Sequence, residues 1–527
     1  MNKEKIIVFL LAAGILFLVN LPLLYFYIFP REGLVFLGRR VINSQDTYTY
    51  ISFIEESKQG KLLLDNLYTS QNQQSTIVRP LYIILGKIAS FFSISSIEIF
   101  HIARIALSII FIAILYRFLF RFFDDPKKRI FAFTLLLISS GFGFIANIIN
   151  PQSSDLWIPE SNTFMSLAEA PHLILSELLM VSGFILFLKY LQTKKTRYII
   201  LGPLFFLILS FEHPANLIIV GITIFLTSIF SGISVYRSLV LAFINSFGII
   251  FQIWQILTNP IINVWKAIEL SPPPSSYISG FGLLIPFSVI GIEKYIHKDN
   301  KSYRLIIVWI FVTLFFLYAP FDKQRRIIEG VHIPLAILST VGIFQILKKI
   351  KKTIRPWVIY VILILLSLSS LYLVINDVNN ISKDSIRNNY YYYHISKPEY
   401  NGLMWLKEHT NTNDSILTNW FFGNILPGIT GRKVYLGHKA QTENFDQKIK
   451  LINLFLLDQN TTTSLNFLKQ NNITYIFLGN NDSMLEYGFK PDEKPYLIKV
   501  YDKNGVLIYK VSYNSNSNPD SATIPSR

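Results

Sequence analysis

The chain of 527 residues contains no cysteine, which excludes disulfides, thiolate metal sites and cysteine nucleophiles. Charge is scarce as well. Asp, Glu, Lys and Arg make up 16% of the residues, against about a quarter in soluble domains. A phosphate-binding loop of the Gly-x4-Gly-Lys-Ser/Thr type is missing, so nothing points to an ATP-driven motor, and no His-Glu-x-x-His zinc signature occurs. Gly141-Phe-Gly143 lacks the third glycine of a dinucleotide loop and falls inside an apolar run, where small residues are expected to let helices approach closely.

What is abundant is apolar. Hydrophobic residues reach 51%, with 43 Phe, and they come in runs of roughly 20, enough to cross a hydrocarbon layer of about 30 Å. The sequence is that of a polytopic membrane protein. Its net charge of +16 does not indicate a nucleic-acid partner. The Lys and Arg gather in short clusters between apolar runs, the pattern of cytoplasmic loops facing membrane lipids.

In chain order, a charged start (Met1 to Lys5) precedes about 23 apolar residues, too long for a signal-peptide core and read as an uncleaved anchor. A long first loop, 29–95, carries Asp46, a polar stretch and an amphipathic run from Val78 to Ser93 that suits the membrane interface. Further spans are expected near 97–120, 130–149, up to 194, 198–211, 214–232, 238–256, 277–292, 305–319, 327–347 and 357–375, about eleven in all. Basic clusters at 117–129, 194–197, 294–304 and 348–355 occupy alternate loops, which places them in the cytoplasm with the amino terminus. The predicted layout is a membrane domain over 1–376, an extracytoplasmic α/β domain over 377–513 and a disordered tail over 514–527. Within the α/β domain, strands are expected at 415–418, 433–436 and 473–478, helices at 398–409, 423–431 and across 442–470, and a hairpin around Asn504-Gly505.

This topology collects the ionisable candidates on the outer face. Asp46, in Ile42-Asn-Ser-Gln-Asp-Thr-Tyr-Thr-Tyr50, is a carboxylate near the membrane boundary and so a candidate general base; the plainer reading makes it the cap of a helix over 47–57. Asp155 and Glu160 flank Trp157 in a loop, with His172 just beyond; they suit an acceptor-orienting or metal role, or are simply solvated acids. Glu212-His213-Pro214 is a tight apex whose charges need solvent or partners. Gln324-Arg325-Arg326 places two guanidinium groups against the charge bias of its face, which suits a phosphate or pyrophosphate, and Arg79 and Lys266 are candidates for the same positive site.

An acid in the first outer loop, interfacial helices after it, about eleven spans and an outer α/β tail resemble the GT-C superfamily of polyprenyl-phosphate-sugar-dependent glycosyltransferases. Asp155-Leu-Trp-Ile-Pro-Glu160, Glu212-His-Pro214, Gln324-Arg-Arg326 and Asn424-Ile-Leu-Pro-Gly-Ile-Thr-Gly-Arg-Lys-Val-Tyr435 look like a little-characterised prokaryotic branch. The resemblance implies a sugar on a lipid phosphate as donor and an inverting transfer to a glycan, lipid or protein acceptor on the outer face. Asp46 would be the base, and Arg79, His213, Lys266, Arg325 and Arg326 would hold the donor phosphate. The resemblance implies no certain cofactor; a divalent cation stays open, with Asp46, Asp155 and Glu160 as its ligands if one is used. The chain departs from protein O-mannosyltransferases in having Thr47 after Asp46 where they have Glu, and from oligosaccharyltransferases in lacking Trp-Trp-Asp. A flippase or transporter, a polymerase or ligase of lipid-linked glycans, and a scaffold are the alternatives. Arg104 and Glu177 are the notable mid-span charges, and no paired halves are visible.

Overall fold

The computed structural model describes residues 3–40, 43–77, 79–149, 152–258, 269–383, 393–480 and 482–513. The tail at 514–527, expected to be disordered, lies outside them. Two compact units emerge: Met1–Phe29, Gly38–Ser44 and Ile77–Lys383 form the first, and Pro30–Leu37, Gln45–Thr76 and Asp384–Arg527 the second. Two segments of the first loop therefore cluster with the carboxy-terminal residues rather than with the apolar helices.

The first unit is helical. Five helices among the described residues are long and apolar enough to cross a membrane: Lys3–Ile28, Ser96–Leu119, Pro126–Ala146, Pro171–Thr193 and Arg355–Lys383. Two bent pairs, Val235–Ser246 with Gly248–Gln255 (52°) and Pro274–Phe281 with Leu284–Tyr295 (83°), raise the number to as many as seven where each pair is one span. This chain is a multi-pass membrane protein. The difference from eleven has a physical origin. The runs expected to span at 198–211, 214–232, 305–319 and 327–347 fold as helices of 16, 15, 16 and 18 residues, shorter or more polar than a straight crossing requires.

Packing in this unit relies on small residues. A Cβ on Gly291 would stand 2.2 Å from the Leu338 carbonyl oxygen, and one on Gly342 would stand 2.0 Å from that of Phe287. Glycine at both positions lets helices Leu284–Tyr295 and His332–Lys349 approach backbone to backbone. Two buried charges of the bundle have partners. Buried Arg104 donates to the Leu167 carbonyl at 2.9 Å and to Asn20 Oδ1 at 2.5 Å. Asp377, in the last long helix, accepts from Arg40 Nε at 2.6 Å. The Pro126–Ala146 span carries a local interruption: helix Pro126–Ile138 stops, and Gly143–Ile149 restarts after a short irregular link.

The second unit is α/β. Strands β1 (Leu34–Phe36) and β2 (His394–Ser396) pair antiparallel. Strands β3 (Ser415–Leu417), β4 (Lys433–Val434), β5 (Tyr475–Leu478), β6 (Leu497–Lys503) and β7 (Val506–Val511) form a sheet in the order β4-β3-β5-β7-β6. The first three are parallel and the last two join antiparallel. Helices Trp420–Thr430, Phe445–Leu457 and Thr461–Gln470 make the crossovers, and Leu417, Leu468, Ile476, Leu478 and Tyr509 fill the core. Ser396 and Glu399 close a reciprocal cap at the start of helix Lys397–His409.

The β6–β7 turn has Asn504 at φ 51° and Gly505 at φ 79°. Both values are left-handed, as a two-residue hairpin turn requires, and explain why Asn-Gly stands there. Gly505→Ala should therefore destabilise the α/β unit by about 1 kcal/mol or more, read as a lower thermal midpoint of the full chain.

Candidate functional site

In the first unit the polar loops build a connected cluster. Gln324-Arg325-Arg326 opens a short 3-10 helix, Gln324–Ile328. Gln324 sets the loop: its Oε1 accepts from the Ser271 amide at 3.1 Å, and its Nε2 donates to the Ala319 carbonyl at 2.7 Å. Arg326 lies between two carboxylates. Its Nε donates to Glu269 Oε2 at 2.5 Å, and Nη1 pairs with Glu160. Lys323 Nζ is 3.1 Å from Glu269 Oε1. Burial alone would raise both acids. For Glu269 the fields of Arg326, Lys323 and Arg325 overcome it and hold the carboxyl at about 2; for Glu160 the same arginines and His213 hold it below the ordinary range.

The two arginines therefore differ, which their adjacency in sequence does not reveal. Arg326 is committed to a carboxylate–guanidinium–carboxylate chain. Arg325 lies over the Trp157 ring at 5.2 Å and reaches Glu269 only at 3.5 Å, and its Nε has no hydrogen-bond partner among the described residues. Arg325 is the guanidinium with donors to spare.

Around this cluster, His213 and Asn216 both engage Glu329, and Asn216 also donates to Ser176 at 3.1 Å. His172 Nδ1 is 2.6 Å from the Tyr82 hydroxyl, and its ring lies 5.8 Å from that of His213. Glu212 accepts the Leu81 amide at 2.9 Å, so it caps helix Pro80–Phe91. Arg79, at φ 44°, donates to the Glu212 carbonyl at 3.2 Å. The Glu-His-Pro apex is thus a partnered junction rather than a solvated turn. Buried Glu177 accepts from Ser166 Oγ at 2.5 Å. Lys266 lies outside the described residues.

Asp155 plays a different part from the one expected. It is buried and accepts from the amides of Gly141 (2.9 Å) and Gly143 (3.2 Å) and from Ser153 Oγ (2.7 Å). Burial raises its pKa in spite of these donors. The Gly141-Phe-Gly143 break in the helix is therefore the seat of Asp155, and Gly141 also lets the chain approach the Ser279–Gly280 backbone closely, a Cβ there standing 2.0 Å from the Ser279 carbonyl oxygen.

In the second unit, Asp46 lies in the first turn of helix Ser44–Lys58, not before it as a cap. An acid there is favoured by the amino-terminal end of the helix dipole. Its Oδ1 is 2.7 Å from His438 Nε2, and the Ala440 amide donates to His438 Nδ1 at 3.1 Å. With Nδ1 accepting, the ring proton sits on Nε2 and points at the carboxylate. The imidazole is nearly buried, whereas the Asp46 side chain is 35% exposed. Tyr68 packs its ring edgewise on His438 and donates its hydroxyl to the Asn424 carbonyl at 3.0 Å. An oriented, half-exposed carboxylate beside a neutral imidazole can take up a proton.

Sequence reasoning missed His438, Glu269 and Glu329. Only His438 left a trace, following Gly437 just after the Asn424-to-Tyr435 motif. No group of three His, Asp or Glu side chains able to hold a metal ion occurs among the described residues. In the first unit Glu160 is matched to Arg326, and Asp155 to amides and a hydroxyl.

Neither a family model nor a curated protein sequence matches the chain. Solved structures do. The Archaeoglobus fulgidus oligosaccharyltransferase tethered with an acceptor peptide containing the NVT sequon aligns at TM-score 0.56 and 13% identity, over 97% of this chain and 74% of that one. ArnT from Cupriavidus metallidurans, bound to undecaprenyl phosphate, aligns at TM-score 0.53 and 8% identity, over 95% and 97%. The arabinofuranosyltransferase AftD from Mycobacteria aligns at TM-score 0.52 and 12% identity, over 97% of this chain and 40% of that one. The archaeal enzyme was also solved with zinc and sulfate.

Because Arg326 neutralises buried Glu160, Arg326→Ala should cost about 3–5 kcal/mol of stability. Arg325→Ala should cost no more than about 1 kcal/mol; thermal unfolding of the two purified variants makes the comparison. The likeness to these enzymes runs through both units and nearly the whole length of the chain, and the fold is that of the GT-C membrane glycosyltransferases.

Proposed function

We propose that the protein moves a sugar from a polyprenyl-phosphate donor to an acceptor hydroxyl on the outer face of the membrane, inverting the anomeric centre. The observation that carries this reading is the Asp46–His438 pair. Its geometry suits general-base work: the carboxylate is fixed by a neutral imidazole and still reachable. An ordinary Asp titrates near 3.9 and is a weak base at neutral pH, so positioning of the acceptor must supply much of the effect. As the acceptor oxygen bonds to the anomeric carbon, the bond from that carbon to the phosphate oxygen breaks. Asp46 takes the hydroxyl proton, and the lipid phosphate leaves with the electron pair.

Arg325 is assigned to the departing phosphate, because a guanidinium donates paired hydrogen bonds to an oxyanion and this one has donors to spare. Arg326, Glu160 and Glu269 hold the loop that presents it, and His213 and Arg79 brace the neighbouring junction. In this reading the amino terminus is cytoplasmic and the α/β residues are extracytoplasmic, and the shorter helices complete an eleven-span topology. The likeness to ArnT with bound undecaprenyl phosphate and to an oligosaccharyltransferase supports a lipid-linked donor. The sugar and the acceptor are left unassigned.

The test is a transfer assay with polyprenyl-phosphate sugars and a membrane extract as acceptor source. Asp46→Asn should lower the rate by about 10²–10⁴-fold with donor binding retained. Arg325→Ala should weaken polyprenyl phosphate binding by roughly tenfold or more. Equal product from wild type and Asp46→Asn would remove Asp46 as the base. Unchanged lipid affinity in Arg325→Ala would remove the phosphate role.

A further inference from the structure

A cavity of about 290 Å³ lies in the helical unit, apart from every residue discussed as a site above. Three helices each bring one lysine to it: Lys128 from the start of Pro126–Ile138, Lys294 from the end of Leu284–Tyr295, and Lys348 from the end of His332–Lys349. All three belong to the basic clusters that mark the cytoplasmic side. The wall is aromatic. Tyr295 and Tyr303 stack with ring centroids 3.5 Å apart, the Lys294 ammonium lies 5.2 Å from the Tyr295 centroid, and that of Lys128 lies 5.8 Å from Phe344.

None of the three ammonium groups forms an ion pair among the described residues. Two carboxylates do line the cavity. Asp125 is engaged as a helix cap, accepting the Lys127 amide at 2.9 Å, and Asp124 is exposed. Lys294 and Lys348 stand in last helical turns, where the dipole favours a cation. Lys128 stands in a first turn, where the dipole opposes one. Three mutually repelling cations around one cavity, one of them against its helix dipole, ask for an anion between them. The chain supplies none by ion pairing.

We propose that this cavity binds the phosphate of an acidic membrane phospholipid. Basic pockets between membrane helices on the cytoplasmic side suit such headgroups, and aromatic side chains suit the depth at which headgroups lie. The helix that carries Lys294 also exposes Val289 (57%), and Ile296 just past its end is 51% exposed, apolar surface for acyl chains that a soluble anion would not use. The site is independent of the transfer chemistry and stands or falls without it.

The experiment is native mass spectrometry of the delipidated full chain with dioleoyl phosphatidylglycerol, dioleoyl phosphatidylcholine and inorganic phosphate as probes. Wild type should prefer phosphatidylglycerol to phosphatidylcholine by roughly tenfold or more. The triple variant K128Q/K294Q/K348Q should lose that preference. A control triple, K351Q/K352Q/R355Q, removes the same charge from the same side and should keep it. Should the cavity triple fail to fold, Lys348→Glu, at an exposed position, gives the same reading. Equal loss in both triples would reduce the effect to general surface charge and overturn the proposal, as would an unchanged preference in the cavity triple. Displacement of phosphatidylglycerol by millimolar inorganic phosphate would reassign the cavity to a soluble anion.

Discussion

Arg326, held between Glu160 and Glu269, is the contact on which the polar end of the helical unit depends. A guanidinium with two carboxylates satisfies a site where any one of the three charges left alone would be expensive to bury. The consequences spread outward. The Gln324-to-Ile328 turn is fixed by this chain and by the Gln324 amide, and Arg325 is turned over Trp157 with donors left unused. Adjacent identical side chains have acquired separate tasks, one structural and one available to a ligand.

The same economy of burial governs the other polar groups of this unit. Asp155 is surrounded by amides and a hydroxyl, Glu212 caps a helix, and His213 and Asn216 share Glu329. Most acids that looked chemical in the sequence are thus spent on holding loops together. In the α/β unit Asp46 is oriented by His438 and keeps about a third of its side-chain surface.

Much of the architecture was legible in the sequence. Apolar runs announced the membrane helices, and the tail's alternation of strands, helices and an Asn-Gly turn follows local rules that act over a few residues. Fold likeness to ArnT, solved with undecaprenyl phosphate, and to an oligosaccharyltransferase agrees with the resemblance carried by the motif order. Partnerships were not legible. His438 meets Asp46 across 392 positions, and Glu269 meets Arg326 across 57, so no local pattern could expose either. Hydropathy registers a 15- or 16-residue apolar helix much as it does a longer one, so span lengths were not legible, and only the folded helix shows its length and bends. The partners of Asp155 were hidden for a related reason: two of its donors are backbone amides, which carry no signature in side-chain sequence.

The account stands on Asp46 and Arg325 facing the same compartment. The absence of natural cysteine makes that directly measurable, since any thiol introduced is the sole one in the chain. Three exposed positions serve: Lys439→Cys near His438, Asp322→Cys beside the arginine turn, and Lys352→Cys in a basic cluster. With a membrane-impermeant maleimide, the first two should label in intact cells and the third only after permeabilisation. Labelling of Lys439→Cys without Asp322→Cys in intact cells would put Asp46, the proposed base, and Arg325, the proposed phosphate ligand, on opposite sides of the membrane and contradict the proposal.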